Sequence, residues 1–238
     1  MRKTLALLLI VCAVSVARGQ KYESFLTKDQ APNGVNYLPA PPDTASVLFY
    51  GDYAQYQWGK SMRATQRGQQ AAQDAVMDCE TILRGFADSF GMTITAADTP
   101  ELYRLCNLVE SDACNSTSKA KKHWMRKRPF VQFSETTLIP EEEASHRHSG
   151  SFPSSHSATG WALALILTEI NPDAQDAILR RGYEFGQSRV IAGYHYQSDV
   201  DAARLTAAAM VARLHADAAF QKQMEKAKKE YHKMKNEE

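Results

Sequence analysis

The chain has 238 residues, with 28 basic and 27 acidic side chains and a formal net charge of +1. A balance so close to neutral gives no support for nucleic-acid binding. Beyond the first twenty residues, no stretch approaches the 18 or so uncharged apolar residues a membrane span needs, so a soluble product is expected.

The first residues carry a sorting pattern. Arg2 and Lys3 precede an apolar run from Leu5 to Val16, and the small residues Ala17 and Gly19 follow. This is the layout of a secretory signal peptide over residues 1–19, with cleavage expected just before Gln20. A lipid anchor at Cys12 fits poorly, because Val11 stands where a small residue is needed. Removing the segment takes out Arg2, Lys3 and Arg18, leaving 25 basic against 27 acidic side chains and a net charge of −2. The remaining length suffices for one domain with a substantial core. Three cysteines are left, Cys79, Cys106 and Cys114; export makes a disulfide feasible, but an odd number leaves the pairing open, Cys106–Cys114 being one option. The absence of any C-x-x-C pair argues against a structural zinc site.

Residues 20–43 are polar and proline-rich (Pro32, Pro39, Pro41, Pro42) and read as an extended arm laid over the domain. From Thr44 onward the patterns are helical. Between Ser61 and Phe90, apolar residues such as Ala72, Val76, Ile82 and Phe86 recur at mixed three- and four-residue spacing, and Gly91 ends the run. Asp98 and Pro100 open a helix carrying Leu102, Leu105, Leu108 and Val109. A basic helix starting at Asn115 or Ser116 has to stop before Pro129. Pro140 followed by three glutamates reads as another helix start, since acids suit the positive end of the helix dipole. Pro153 opens an apolar helix through Trp161, Leu163, Leu165 and Leu167. Asn171-Pro172-Asp173 ends it and caps the next, which runs to about Val190. Ser198 or Asp199 begins another, through Leu214, and the Lys/Glu-rich tail reads as a solvated helix that frays. Strand signals are scarce. The expectation is an all-α fold, one helical-bundle domain over residues 44–238.

Three segments put phosphate-compatible groups at helix ends. Lys121 is followed seven residues later by Arg128-Pro129, so a point charge and a planar fork of donors emerge where the helix stops. In Pro153-Ser154-Ser155-His156, proline in the first turn leaves backbone N–H groups free to bind an anion, Ser154 adds a hydroxyl, and His156 is placed to give a proton to a leaving oxygen. In the third, Ser188-Arg189 precedes His195, and Asp199 lies four residues beyond it. A carboxylate on one ring nitrogen fixes the tautomer and leaves the other lone pair free to attack.

Lys-x6-Arg-Pro, Pro-Ser-Ser-His and Ser-Arg-x5-His-x3-Asp, in this order, resemble the three-part signature of the phosphatidic acid phosphatase/vanadium haloperoxidase superfamily. A short chain with a signal peptide is similar, within it, to the class A bacterial non-specific acid phosphatases. The resemblance implies a nucleophile at His195, an orienting acid at Asp199 and a general acid at His156. It implies phosphate binders at Lys121, Arg128, Ser154, Ser155 and Arg189, and it places Ser188 in the motif with a structural role. The family pattern has glycine where this chain has Ser155, so a side chain is expected to crowd or polarise the pocket.

The activity implied is hydrolysis of small phosphate monoesters through a phosphohistidine, with no metal and no cofactor, an acidic optimum and inhibition by vanadate. Two related activities share the signature: a vanadium-dependent haloperoxidase, and a lipid or prenyl pyrophosphate phosphatase, whose members usually carry membrane spans. A non-catalytic phosphate-binding protein would need neither His156 nor His195. His146-x-His148 reads as a polar loop over the pocket rather than a metal site. Tyr194 and Tyr196 either shape the leaving-group side or pack in the core. A periplasmic location, with secretion as the alternative, follows from the signal; the proline-rich arm leaves room for a homo-oligomer.

Overall fold

The computed structural model describes residues 23–237, so the expected signal peptide lies outside the described residues. Among them the chain forms eleven α-helices and three short 3-10 turns, with no strand. The fold is all-α.

The helical run read across Ser61–Phe90 is three helices: α1 (Val47–Met62), α2 (Gln66–Gln73) and α3 (Cys79–Phe90). Thr65 and Asp78 sit in extended backbone and accept the N–H groups of Gly68 and Thr81. Short polar side chains favour such caps over helix interiors, which is why the periodicity is interrupted twice. Gly91 then stops α3 in the left-handed conformation, φ 82°.

α4 (Pro100–Ser116) has proline in its first turn, as read from the sequence. α5 (Ser118–Trp124) ends at Met125, and Arg128 is the N-cap of the single-turn helix α6 (Pro129–Gln132). Pro140–Glu142 forms a 3-10 turn leading into the short α7 (Glu143–His146). α8 (Ser155–Ile170) has Ser154 as its N-cap, which puts Pro153 just outside the helix rather than in its first turn. α9 (Gln175–Ala192) ends at Gly193, φ 87°, and α10 (Gln197–Leu214) begins four residues later.

α8 is the central helix. Ten of its 16 residues are buried, and it packs against α4, α9 and α10. A helix apolar around its whole circumference is stable only when enclosed in this way. Gly160 lies against Phe185 and Gly182 against Ala164 with no space for a Cβ, so α8 and α9 approach closely as an antiparallel pair. The topology has a direct consequence: the start of α8, the end of α9 and the start of α10 meet at one end of the bundle. There the Ser154 N–H donates to the Asp199 carbonyl at 3.1 Å.

The tail departs from its reading as a solvated, frayed helix. α11 (Ala218–Lys235) packs on α4 and buries Phe220, Met224, Ala227 and Tyr231. These recur at three- and four-residue spacing within a sequence whose many Lys and Glu residues mask the stripe. Cys106 and Cys114 both sit on α4, eight residues and hence roughly 12 Å apart along the axis, beyond disulfide reach. All three described cysteines are free thiols. No helix among the described residues is long and apolar enough to cross a membrane.

Candidate active site

His195 lies just before α10, not within it. Its Nδ1 is 3.3 Å from Asp199 Oδ2, and that oxygen also accepts the Tyr196 N–H at 2.9 Å as part of the α10 capping box. The cap therefore does two things at once: it closes the helix start and orients the imidazole. A carboxylate only accepts, so Nδ1 carries the hydrogen and the lone pair is on Nε2. That lone pair meets Arg128 Nη1 at 3.0 Å. A guanidinium only donates, so the opposite side of the ring gives the same tautomer. Burial, followed by the charges of Arg128 and Lys121, holds the imidazole pKa well below the usual histidine range, in the neutral form a nucleophile requires.

Three cations surround this ring. Arg128 is anchored by carbonyls on both sides: Nε donates to His146, Nη1 to Tyr194 and Nη2 to Gly150, with Ser149 Oγ at 3.0 Å from Nη2. The Lys121 ammonium donates to the carbonyls of Gly150 and Ser151 at 3.2 and 3.5 Å. Arg189 differs from both. It is 0% exposed, its guanidinium lies 4.8 Å over the Tyr194 ring, and Nε, Nη1 and Nη2 have no hydrogen-bond partner among the described residues. Burial and then the Arg128 charge pull Lys121 down to about 7. Burial, with Arg189 beside it, pulls Arg128 down to about 10, and burial does the same to Arg189. A bound oxyanion would relieve all three.

The start of α8 faces the same place. Ser154 Oγ accepts from the N–H and the hydroxyl of Ser157, which fills its acceptor positions and leaves its own proton to donate. The first intrahelical bond runs from Ala158 N–H to the Ser154 carbonyl, so the N–H groups of Ser155 and His156 precede the helical ladder. The Ser155 side chain does not stand free in the pocket. Its hydroxyl pairs with Thr117 Oγ1 at 2.8 Å, and the Thr117 carbonyl accepts the Lys121 N–H. His156 Nε2 lies 2.9 Å from the Ala75 carbonyl, which accepts its hydrogen and leaves Nδ1 as the second titrating nitrogen. Burial and Arg189 depress its pKa well below the ordinary value.

All eight residues singled out in the sequence therefore surround one end of the bundle. The two tyrosines resolve in favour of packing: both are buried, Tyr194 donating to the Ile139 carbonyl at 2.6 Å while its ring backs Arg189. His148 is exposed and the His146 ring packs edge-on against Tyr194; no group of three or more metal-ligating side chains occurs among the described residues. Ser188 bonds Asp74, which also takes both terminal nitrogens of Arg181; this holds the α2–α3 loop whose Ala75 carbonyl meets His156.

Residues that sequence reasoning missed are Arg126, Asp52, Ser198, Thr117, Asp74 and Ala75. Arg126 is one of several basic residues between Lys119 and Arg128, and nothing in its spacing sets it apart. The others carry no motif, and a backbone carbonyl such as that of Ala75 leaves no side-chain signature at all.

The PAP2 superfamily sequence model matches residues 103–222. A protein of Providencia stuartii named non-specific acid phosphatase is 47% identical over 212 residues, covering 89% of this chain and 86% of that relative. One of the same name from Salmonella typhimurium is 42% identical over 209 residues, covering 87% and 84%. An acid phosphatase of Zymomonas mobilis is 36% identical over 197 residues, covering 83% and 75%.

Proposed function

This chain belongs to the PAP2 superfamily, and from that membership together with its 36–47% identity to acid phosphatases over most of its length we infer that it is an acid phosphatase, hydrolysing a broad range of phosphate monoesters through a phosphohistidine on His195. One observation carries the mechanism: a wholly buried Arg189 with three unpartnered nitrogens beside a neutral imidazole whose lone pair is on Nε2. An uncompensated buried charge is costly unless an anion completes it.

The phosphoryl group sits among Lys121, Arg128, Arg189, the Ser154 hydroxyl and the N–H groups opening α8. Arg128 exchanges its contact with Nε2 for a phosphate oxygen, which frees the lone pair. Burial and the Arg189 charge keep His156 neutral in the empty site; a bound phosphate offsets that charge, so Nδ1 takes up a proton on substrate binding. Nε2 then attacks phosphorus in line; the N–P bond forms as the ester P–O bond breaks, and His156 gives its Nδ1 proton to the departing alcohol. In the second half a water attacks phosphorus, surrenders its proton to His156, and the P–N bond returns its electrons to His195. Transfer of this kind needs chiefly positioning and charge neutralisation, which the cations supply without a metal. The alcohol is bound by no dedicated group in this scheme, hence the breadth of substrates.

The localisation follows the signal-peptide reading: export to the periplasm, or beyond it. The test of the mechanism is chemical trapping. Quenching turnover of a 32P-labelled monoester should leave acid-labile label on His195, vanadate should inhibit, and EDTA should not. Failure to find label on that ring would remove the covalent step, and full loss of activity with chelator would reject the metal-free scheme.

A further inference from the structure

Behind His195, on the side of Nδ1, lies a second charged cluster that joins Asp199 to residues the three sequence motifs leave unspecified. Arg126, in the loop between α5 and α6, is stacked on the Tyr196 ring at 4.1 Å. Its Nη1 donates to Asp199 Oδ1 at 2.6 Å and to Ser198 Oγ at 2.8 Å, and its Nη2 donates to Asp52 Oδ2 at 2.7 Å. Asp52, on α1, in turn accepts the Ser198 N–H at 2.8 Å and its hydroxyl at 2.6 Å. The side chains of Arg126, Asp52 and Asp199 are 8%, 3% and 0% exposed.

The consequence concerns rotation. Asp199 uses Oδ2 for His195 and for its own helix cap, and Oδ1 for Arg126. Without Arg126 the carboxylate keeps contacts on one oxygen only. Two buried carboxylates would also face each other without the cation between them, and one would take up a proton. Either change loosens the hold on Nδ1. We propose that Arg126 and Asp52 are positioning residues for the nucleophile: Asp52 fixes the guanidinium, the guanidinium fixes Asp199, and Asp199 fixes the imidazole for in-line attack. This rests on the phosphohistidine reading. It ties the helix α1, which bears none of the motif residues, to the rate of the chemical step.

The test measures kcat on p-nitrophenyl phosphate, the inhibition constant of inorganic phosphate and the rate of phosphoenzyme labelling in Arg126→Gln, Arg126→Lys and Asp52→Asn, each checked for its fold by circular dichroism. Loss of a partner that orients a reacting group costs roughly 10- to 100-fold. Arg126→Gln is expected near the upper end of that range. Arg126→Lys, which keeps the charge without the fork, should recover part of the loss, and Asp52→Asn should lie near the lower end. Affinity for inorganic phosphate, which needs the phosphate binders but no bond to Nε2, should stay within about three-fold of the parent in each. The proposal is overturned if Arg126→Gln and Asp52→Asn label and turn over at the parental rate, or if affinity for inorganic phosphate falls in step with kcat. Should Arg126→Gln not fold, Asp52→Asn decides on the same two criteria. Absence of label in the parent protein itself would instead defeat the phosphohistidine reading.

Discussion

Two buried arginines on opposite sides of His195 live in opposite environments. Arg126 sits between two carboxylates and uses both terminal nitrogens. Arg189 is at least as deeply buried and has no hydrogen-bond partner among the described residues. A guanidinium whose charge is matched by the protein has nothing left to offer a ligand and can only hold other groups in place. One left without hydrogen-bond partners is costly to bury and gains when an anion arrives. The same side chain thus serves position on one side of the imidazole and affinity on the other, decided entirely by its neighbours.

The sharpest break of this contrast is the imidazole between the two regions. His195→Ala should lower kcat on the order of 10^4-fold or more, while the folded protein still binds inorganic phosphate through the cations; turnover at an appreciable fraction of the parental rate would place the nucleophile elsewhere.

Next is Arg189→Met, for which kcat/KM should fall about 10^3-fold as the phosphate loses a charge-matched fork. Its melting temperature should hold or rise, since an uncompensated buried charge is removed, whereas Arg126→Gln should melt lower than the parent. Thermal denaturation of the two variants side by side reads the comparison directly; equal destabilisation would erase it.

A smaller effect concerns pH. Lys121 is pulled down to about 7, so its ammonium is charged below that value and neutral above it. A substrate that needs the charge binds less well as pH rises, and kcat/KM should fall by up to about tenfold per unit above neutrality. Lys121→Arg keeps its charge and should shift that limb upward; a profile that does not move would show that another group sets it.

The smallest effect is expected for Ser155→Gly. It removes the hydroxyl pair with Thr117 at the rim of the cation region, costing about 1 kcal/mol of stability by urea titration. Because that hydroxyl is already engaged, kcat should change by no more than about three-fold. A larger gain would mean that the side chain obstructs the phosphate.

The part of the site that was legible from the chain alone was written in local chemistry. Lys121, Arg128, the Ser154–His156 turn, Arg189, His195 and Asp199 each fall at a helix end, and proline, glycine and capping residues mark those ends within a few positions. The all-α class was readable because helical periodicity is local; that the three segments form one site was what the family resemblance implied, and in the fold the hairpin formed by α8 and α9 brings the outer ends of those two helices together. Where the reading failed, one deciding contact was local and the other distant. The break between α2 and α3 turns on a cap rather than on periodicity, and the burial of α11 depends on the face of α4 that receives it.

Only the folded chain distinguishes Arg126 from Arg189, or brings Asp52 and Ala75 to the two histidines. Arg126 meets Asp52 and Asp199 across 74 and 73 residues of chain, and His156 meets the Ala75 carbonyl across 81. No spacing rule spans such separations. The sequence determined which groups were chemically able to hold and attack a phosphate; the packing of α1, α8, α9 and α10 decided which charges would be neutralised and which left open, because a charge is quenched or exposed only by what tertiary structure brings within bonding distance.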